Sequence, residues 1–149
     1  LTQVLASALH QLKSPIRASR VRIVQPGPNE KCTIRGDAVQ LKMVFVNLIQ
    51  NAMDAVAGSG KKRGAIVIER NITKDCVKVV VGDSGTGWPG GTLDEMLLKT
   101  TKPGGSGIGL YVVKTAMENH NGKIIIDRSP LGGAEFRLVF HRSTEGCPH

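Results

Sequence analysis

Residues 37–58, DAVQLKMVFVNLIQNAMDAVAG, decide how the rest of the chain is read. Leu41, Val44, Phe45, Leu48, Ala52 and Ala55 recur at three- and four-residue steps, the apolar stripe of a core-facing helix. Asp37 is the expected N-cap, and Gln40 stands where a capping box has its second member. Gly58-Ser59-Gly60 ends the helix. The same helix carries Asn47 and Asn51, four residues apart and therefore on one side. That side borders the apolar stripe, so both amides are expected to be half buried and to need partners. Two kinds of partner suit them. One is a hard cation held through an amide oxygen, with water and phosphate completing its shell. The other is the backbone of a neighbouring loop.

Outward from this helix the chain reads as alternating helices and strands. Residues 1–19 repeat apolar residues at helical steps (Val4, Leu5, Ala8, Leu9, Leu12, Ile16), with Pro15 expected to kink or shorten the helix. Val21–Gln25 reads as a strand, Pro26–Asn29 as its turn and Lys31–Arg35 as a further short strand. Ala65–Arg70 and Cys76–Val81 are strands joined by a polar turn. Residues 82–106 are rich in Gly, Ser, Thr and Pro, with one short helix around Leu93–Leu98; so long an irregular stretch points to function. A helix from about Ser106 to Asn119 follows, stopped by Gly122. Lys123–Asp127 and Ala134–His141 close the chain as a hairpin across Pro130–Gly133. This order implies an α+β fold: a two-layer sandwich, mostly antiparallel, with helices on one face.

Composition narrows the class. The 149 residues make one domain, 1–149. No apolar run approaches the roughly 18 residues of a membrane span, and the N-terminus lacks a signal-peptide pattern. The chain opens on Leu1, which reads as an excised domain. Aromatics are 3%, so the core is expected to be aliphatic, and the net charge is +8. The basic residues are scattered, with one cluster at Lys61-Lys62-Arg63 that reads as a solvated loop. Nothing interleaves them with aromatics as single-strand binders do, so no nucleic-acid partner is expected. Cys32, Cys76 and Cys147 are distant and odd in number, which fits a reducing cytoplasm. The four histidines show no metal-ligand spacing.

Two further constellations carry chemistry. Asp83-Ser84-Gly85-Thr86-Gly87 follows an apolar strand. A carboxylate there can accept from the exocyclic amino group of adenine and repel the oxygen guanine presents instead. Gly85 and Gly87 let the backbone pass close under a base, although a plain structural turn uses the same residues. Thr100-Thr101-Lys102-Pro103-Gly104-Gly105-Ser106-Gly107-Ile108-Gly109-Leu110 runs into a helix. Free amides at a helix N-terminus, cleared by glycine, form an anion site. Lys102 can add a point charge on outer phosphates. The spacing fits neither a dinucleotide fingerprint nor a P-loop.

Together, NLIQNAMDA, DSGTG and TTKPGGSGIGLYVVKTAMENHNGKI resemble the N box, the first G box, and the second G box with its following helix in sensor histidine kinases. Gly36-Asp37 and the closing GGAEFRLVF strand match as well. The resemblance implies the catalytic and ATP-binding domain of such a kinase, on the Bergerat fold. It implies that Asn51 binds magnesium and that Asn47 is its phosphate-side neighbour. Asp83 takes the adenine-binding role and Gly85 and Gly87 the base side. Gly105, Gly107, Gly109 and Leu110 take the phosphate side. Thr100, Thr101 and Lys102 fall in a mobile lid, about residues 93–106. Where the family carries two aromatic or apolar residues before Thr-Thr-Lys, this chain has Leu98 and Lys99. Trp88 stands where an aliphatic residue is common, either lining the pocket mouth or anchoring the loop. His120 fits the family pattern and reads as a charge–dipole cap.

His10-Gln11-Leu12-Lys13-Ser14-Pro15 imitates the family's phosphoacceptor motif. The N box starts 47 − 10 = 37 residues later, too soon for a dimerising two-helix hairpin, so His10 is assigned to this domain's own first helix. The expected function is therefore to bind Mg-ATP and donate the γ-phosphate to a histidine on a separate dimerisation domain. Asn47 and Lys102 position phosphate, no general base lies in this chain, and a response regulator acts downstream. The isolated domain is expected to be a monomer, cytoplasmic or the cytoplasmic part of a membrane-bound sensor. The alternatives are a gyrase- or MutL-like ATPase and a non-catalytic nucleotide-binding or docking module. The first is weakened because Asn47 stands where those ATPases carry a catalytic Glu, and an amide takes no proton.

Overall fold

The computed structural model describes residues 1–25, 33–88, 90–95 and 107–142. In chain order these form α1 (Thr2–Gln11), α2 (Lys13–Ala18), β1 (Val21–Val24), α3 (Ala38–Gly58), β2 (Gly64–Ile72), β3 (Cys76–Asp83), α4 (Gly107–Asn119), β4 (Lys123–Arg128) and β5 (Ala134–His141). The strands make one sheet in the order β1-β2-β3-β5-β4. β1 runs parallel to β2, and the other pairs are antiparallel. The α+β expectation of a mixed, mostly antiparallel sheet with helices on one face holds.

The helical layer lies on one face because the strands alternate. Ile66 and Ile68 of β2, Val77, Val79 and Val81 of β3, and Phe136, Leu138 and Phe140 of β5 are buried at every second position. They meet Leu41, Val44, Phe45, Leu48, Ile49 and Ala52 from α3, with α1 and α4 both packed against α3. The core is aliphatic but for the chain's three phenylalanines, all buried in it. Each large side chain fully removed from water contributes about 1.5–3 kcal/mol.

Several local expectations change. The first helix is two: α1 ends at Gln11 with Leu12 as its C-cap, and Pro15 sits within the first turn of α2, where its missing N–H costs nothing. Of the expected strand Lys31–Arg35, residues 31–32 lie outside the described residues and Thr33–Arg35 pairs with no strand; Ile34 packs on the core. At the end of α4 the left-handed residue is Asn121 (φ 53°), a conformation asparagine tolerates, rather than Gly122. Gly122 is required for space, since a Cβ there would lie 2.6 Å from Met117 Cε and 2.8 Å from the Val139 carbonyl oxygen. Its N–H closes on the Met117 carbonyl at 2.9 Å. Leu93–Glu95 are helical; residues 96–98 of the expected short helix lie outside the described residues, as do residues 26–29 of the expected turn.

Asp37 caps α3 as expected, its Oδ1 accepting from the N–H of Val39 at 2.9 Å and of Gln40 at 3.2 Å. The reciprocal half of the capping box is not made by Gln40. The Asp37 N–H donates to Nε2 of His120, 2.9 Å away and 83 residues later.

Candidate functional site

The middle strand of the sheet, β3, ends on Asp83, paired with Ile66 of β2. Asp83 is only 2% exposed. Oδ1 accepts from the Gly85 N–H at 2.8 Å and from the Ala134 N–H at 3.3 Å. Oδ2 takes neither bond. Burial pushes the Asp83 carboxyl above its ordinary value, against the pull of the Gly85 and Ala134 N–H groups and the Lys61 ammonium. A buried carboxylate with one oxygen held by backbone, and no bond to the other from the described residues, suits an amino-group donor.

The turn after Asp83 lies directly on α3. The Thr86 N–H donates to the Ala55 carbonyl at 3.2 Å. A Cβ on Gly85 would stand 2.5 Å from the Ala55 carbonyl carbon, so only glycine fits. Gly87 has φ 92°, which glycine adopts without strain. Trp88 packs against the core, the loop-anchor alternative, while its Nε1 is buried with no hydrogen-bond partner.

Towards the other end of the same α3 face stands Asn47. Its Nδ2 donates to the Met43 carbonyl at 2.8 Å, one turn back along α3. Its Oδ1 points at Gly109 in the first turn of α4, where a Cβ would lie 2.8 Å away. Gly107 opens that helix. Leu110 is 1% exposed in the core, where it seats α4 against α3. Asn51, between Asn47 and Ala55, has a buried Nδ2 without a partner.

Asn47, Asn51 and Ala55 thus form one strip along α3, about 12 Å long at 1.5 Å per residue. The strip joins the N-terminal turn of α4 to a buried carboxylate through an amide whose nitrogen has no partner. A helix N-terminus attracts anions, an amide oxygen can meet a hard cation and a buried carboxylate can accept from an amino group, so three kinds of contact lie in one line. Among the described residues no group of three His, Cys, Asp or Glu could hold a metal. A cation here would therefore rest on amide oxygen, and Asn51 fits: its buried Nδ2 has no partner, and rotation by 180° would exchange the two amide atoms.

Lys102, Thr100, Thr101 and Gly105 lie outside the described residues, as do Leu98 and Lys99. Before them in the chain, Asp94 pairs with Lys114 of α4 at 2.6 Å and holds the Lys114 ammonium above its ordinary value. His10 lies on α1, exposed, on the domain's own first helix.

Two site residues escaped the sequence reading. A Cβ on Gly133 would collide with Asp83 Oδ1 and stand 2.6 Å from the Gly85 N. Gly133 also donates to the Asp83 carbonyl at 3.0 Å. Lys61, read as part of a solvated loop, donates to the Ser84 carbonyl at 2.8 Å beside Asp83. Each meets Asp83 or its neighbour only across the folded sheet, so no local spacing announces it.

Comparison with known proteins agrees with this geometry. Residues 36–144 match the family described as Histidine kinase-, DNA gyrase B-, and HSP90-like ATPase. Sporulation kinase A of Bacillus subtilis is 39% identical over 111 residues, 72% of this chain and 17% of its own length. Sensor histidine kinase ZraS of Klebsiella oxytoca is 34% identical over 139 residues, 91% of this chain and 29% of its own. The chain thus spans less than a third of these relatives. The solved catalytic domain of histidine kinase ThkA superposes with TM-score 0.80 at 27% identity, covering 95% of this chain and 92% of that one. The chain belongs to the histidine kinase-, DNA gyrase B- and HSP90-like ATPase family and, within it, to the ATP-binding domains of sensor histidine kinases.

Proposed function

We propose that this domain binds Mg-ATP and presents its γ-phosphate to a histidine on a separate dimerisation domain of its parent kinase. The observation that carries this is the α3 strip, which links the buried Asp83 carboxylate to the N-terminus of α4 through Asn51, whose buried amide nitrogen has no partner. In this reading Asp83 Oδ2 accepts from the adenine amino group. The turn at Gly85 and Gly87 lies under the base. The free amides of α4 and the glycines at 105, 107 and 109 receive phosphate oxygens. Lys102, Thr100 and Thr101 belong to a lid over residues 93–106 that would place charge on the outer phosphates. Asn51 holds magnesium through its amide oxygen, with Asn47 beside it. Magnesium, when bound, neutralises phosphate charge and fixes the phosphate geometry. The chain supplies positioning and electrostatics.

The base for the attacking histidine would stand on the partner domain. Asn47 offers only an amide where water activation would require a carboxylate, so the ATPase reading has no support from the described residues. A response regulator would receive the phosphoryl group in turn. No described helix is long and apolar enough to cross a membrane, and a cytoplasmic place suits a domain that uses ATP.

The test uses radiolabelled ATP and detection of an acid-labile, base-stable product. The 149-residue chain alone should acquire no label. Mixed with the parent's histidine hairpin it should transfer label to the hairpin, weakly for want of a tether. Label on the chain alone that disappears in His10→Gln would overturn the assignment and make His10 the acceptor.

A further inference from the structure

His120 joins the ends of two helices. Its Nδ1 lies 2.6 Å from the Ala116 carbonyl oxygen in the last turn of α4. Its Nε2 accepts the Asp37 N–H that opens α3. A ring that accepts at Nε2 and donates at Nδ1 is the neutral tautomer. It therefore acts as a hydrogen-bonded bridge and not as the cationic dipole cap expected from sequence. Gly36 is its seat: a Cβ there would collide with the ring and lie 2.6 Å from Nε2. Asp37 spends its carboxylate on its own helix, capping Val39 and Gln40.

The two helices are antiparallel, since the start of α3 meets the end of α4 while Asn47 meets Gly109 near the start of α4. The distances along the two match. Asp37 to Asn47 is about 15 Å along α3, and Gly109 to His120 is about 16 Å along α4. A bond that fixes the helices at one end therefore fixes their register at the other. Core contacts alone, being non-directional, resist a small slide less sharply than a hydrogen bond does.

We infer that His120 is a positioning residue for the nucleotide site: its bridge to Asp37 sets the axial register of α3 against α4 and so places Asn47 and Asn51 opposite the α4 N-terminus. The inference rests on the reading of that strip as the nucleotide site. The register governs the phosphate end only. The base end is built by β3 and its turn, seated on Ala55 of α3 itself; none of these lies on α4, so a slide of α4 along α3 spares it.

The experiment separates the two ends with two ligands, ATP with magnesium and adenosine, titrated against the 149-residue chain well below its melting temperature. His120→Asn keeps a donor for the Ala116 carbonyl but leaves nothing to accept from Asp37. It should weaken Mg-ATP by about 5- to 10-fold, at the low end of coupling between sites, and leave adenosine unchanged. His120→Gln restores an acceptor near the Nε2 position and should recover most of the ATP affinity. Gly36→Ala, which displaces the ring, should behave like His120→Asn. Equal losses for ATP and adenosine, or no loss for either, would sink the register role. Failure of the site reading looks different: Asp83→Ala would then leave ATP binding untouched in the otherwise native chain.

Discussion

Asp83 shows how one residue sets stability against function. Burial raises its pKa above the ordinary 3.8. The fold therefore favours the protonated acid, and that contribution to stability is full below the unfolded pKa. It is lost as pH rises through the folded value. Asn at this position can keep the Oδ1 bonds to Gly85 and Ala134 and carries no charge to desolvate. Urea unfolding should accordingly find Asp83→Asn more stable than wild type, with the gap opening as pH rises above about 4 and then levelling once the carboxyl is fully ionised. A gap that narrows with rising pH would mean that burial does not dominate at this carboxyl. The same substitution turns a donor toward a donor at the adenine amino group. Loss of a charge-assisted bond costs about 1.5–3 kcal/mol, so ATP affinity should fall roughly 10- to 150-fold by calorimetry.

At the scale of elements, the site depends on how closely a turn and a helix approach. Gly85 has no room for a methyl group because the Ala55 backbone is in the way, and backbone cannot swing aside as a side-chain tip can. Gly85→Ala must lift the turn from α3 or bend α3. The expected result is a destabilisation of about 1–3 kcal/mol, with weaker nucleotide binding. Chemical denaturation and calorimetry on the same preparation check both, and an alanine accepted at no cost would mean that the turn is not pressed on the helix. The α3 pattern was readable in sequence because 3.6-residue periodicity reports burial directly. Its N-cap was readable for the same local reason. The partner of the Asp37 N–H was not, since His120 lies 83 residues away.

For the whole molecule, a ligand that binds only the folded chain raises stability by mass action, about 2.7 kcal/mol at a hundred times its Kd. For a domain of this size that is a melting-temperature increase of roughly 5–10 °C. ATP with magnesium should produce it, and GTP at the same concentration clearly less, because guanine presents an acceptor to Asp83. In Asn51→Ala the part of the ATP shift that depends on magnesium should vanish. The chain's one tryptophan, Trp88, stands just after Gly87 and supplies an intrinsic fluorescence readout. Equal shifts with both nucleotides would remove Asp83 from base recognition.

Local pattern was enough for most elements, the sheet class and the order of the three chemical stretches, because helix and strand periodicities and glycine placement are local properties; the break at Leu12 and the unpaired Thr33–Arg35 were not in it. It also placed His10 on a first helix of this domain, where the structure has it. What only the tertiary structure decided are contacts between residues far apart in sequence. Gly133 folds over Asp83, Lys61 reaches Ser84, Asn47 faces Gly109, and His120 completes a helix cap that Gln40 was placed to make. The reason is physical. A local pattern says which side of an element is apolar, but the partner of a polar atom depends on which elements pack together, and at what register. That is settled when β3 takes the middle of the sheet and α3 lies between α1 and α4.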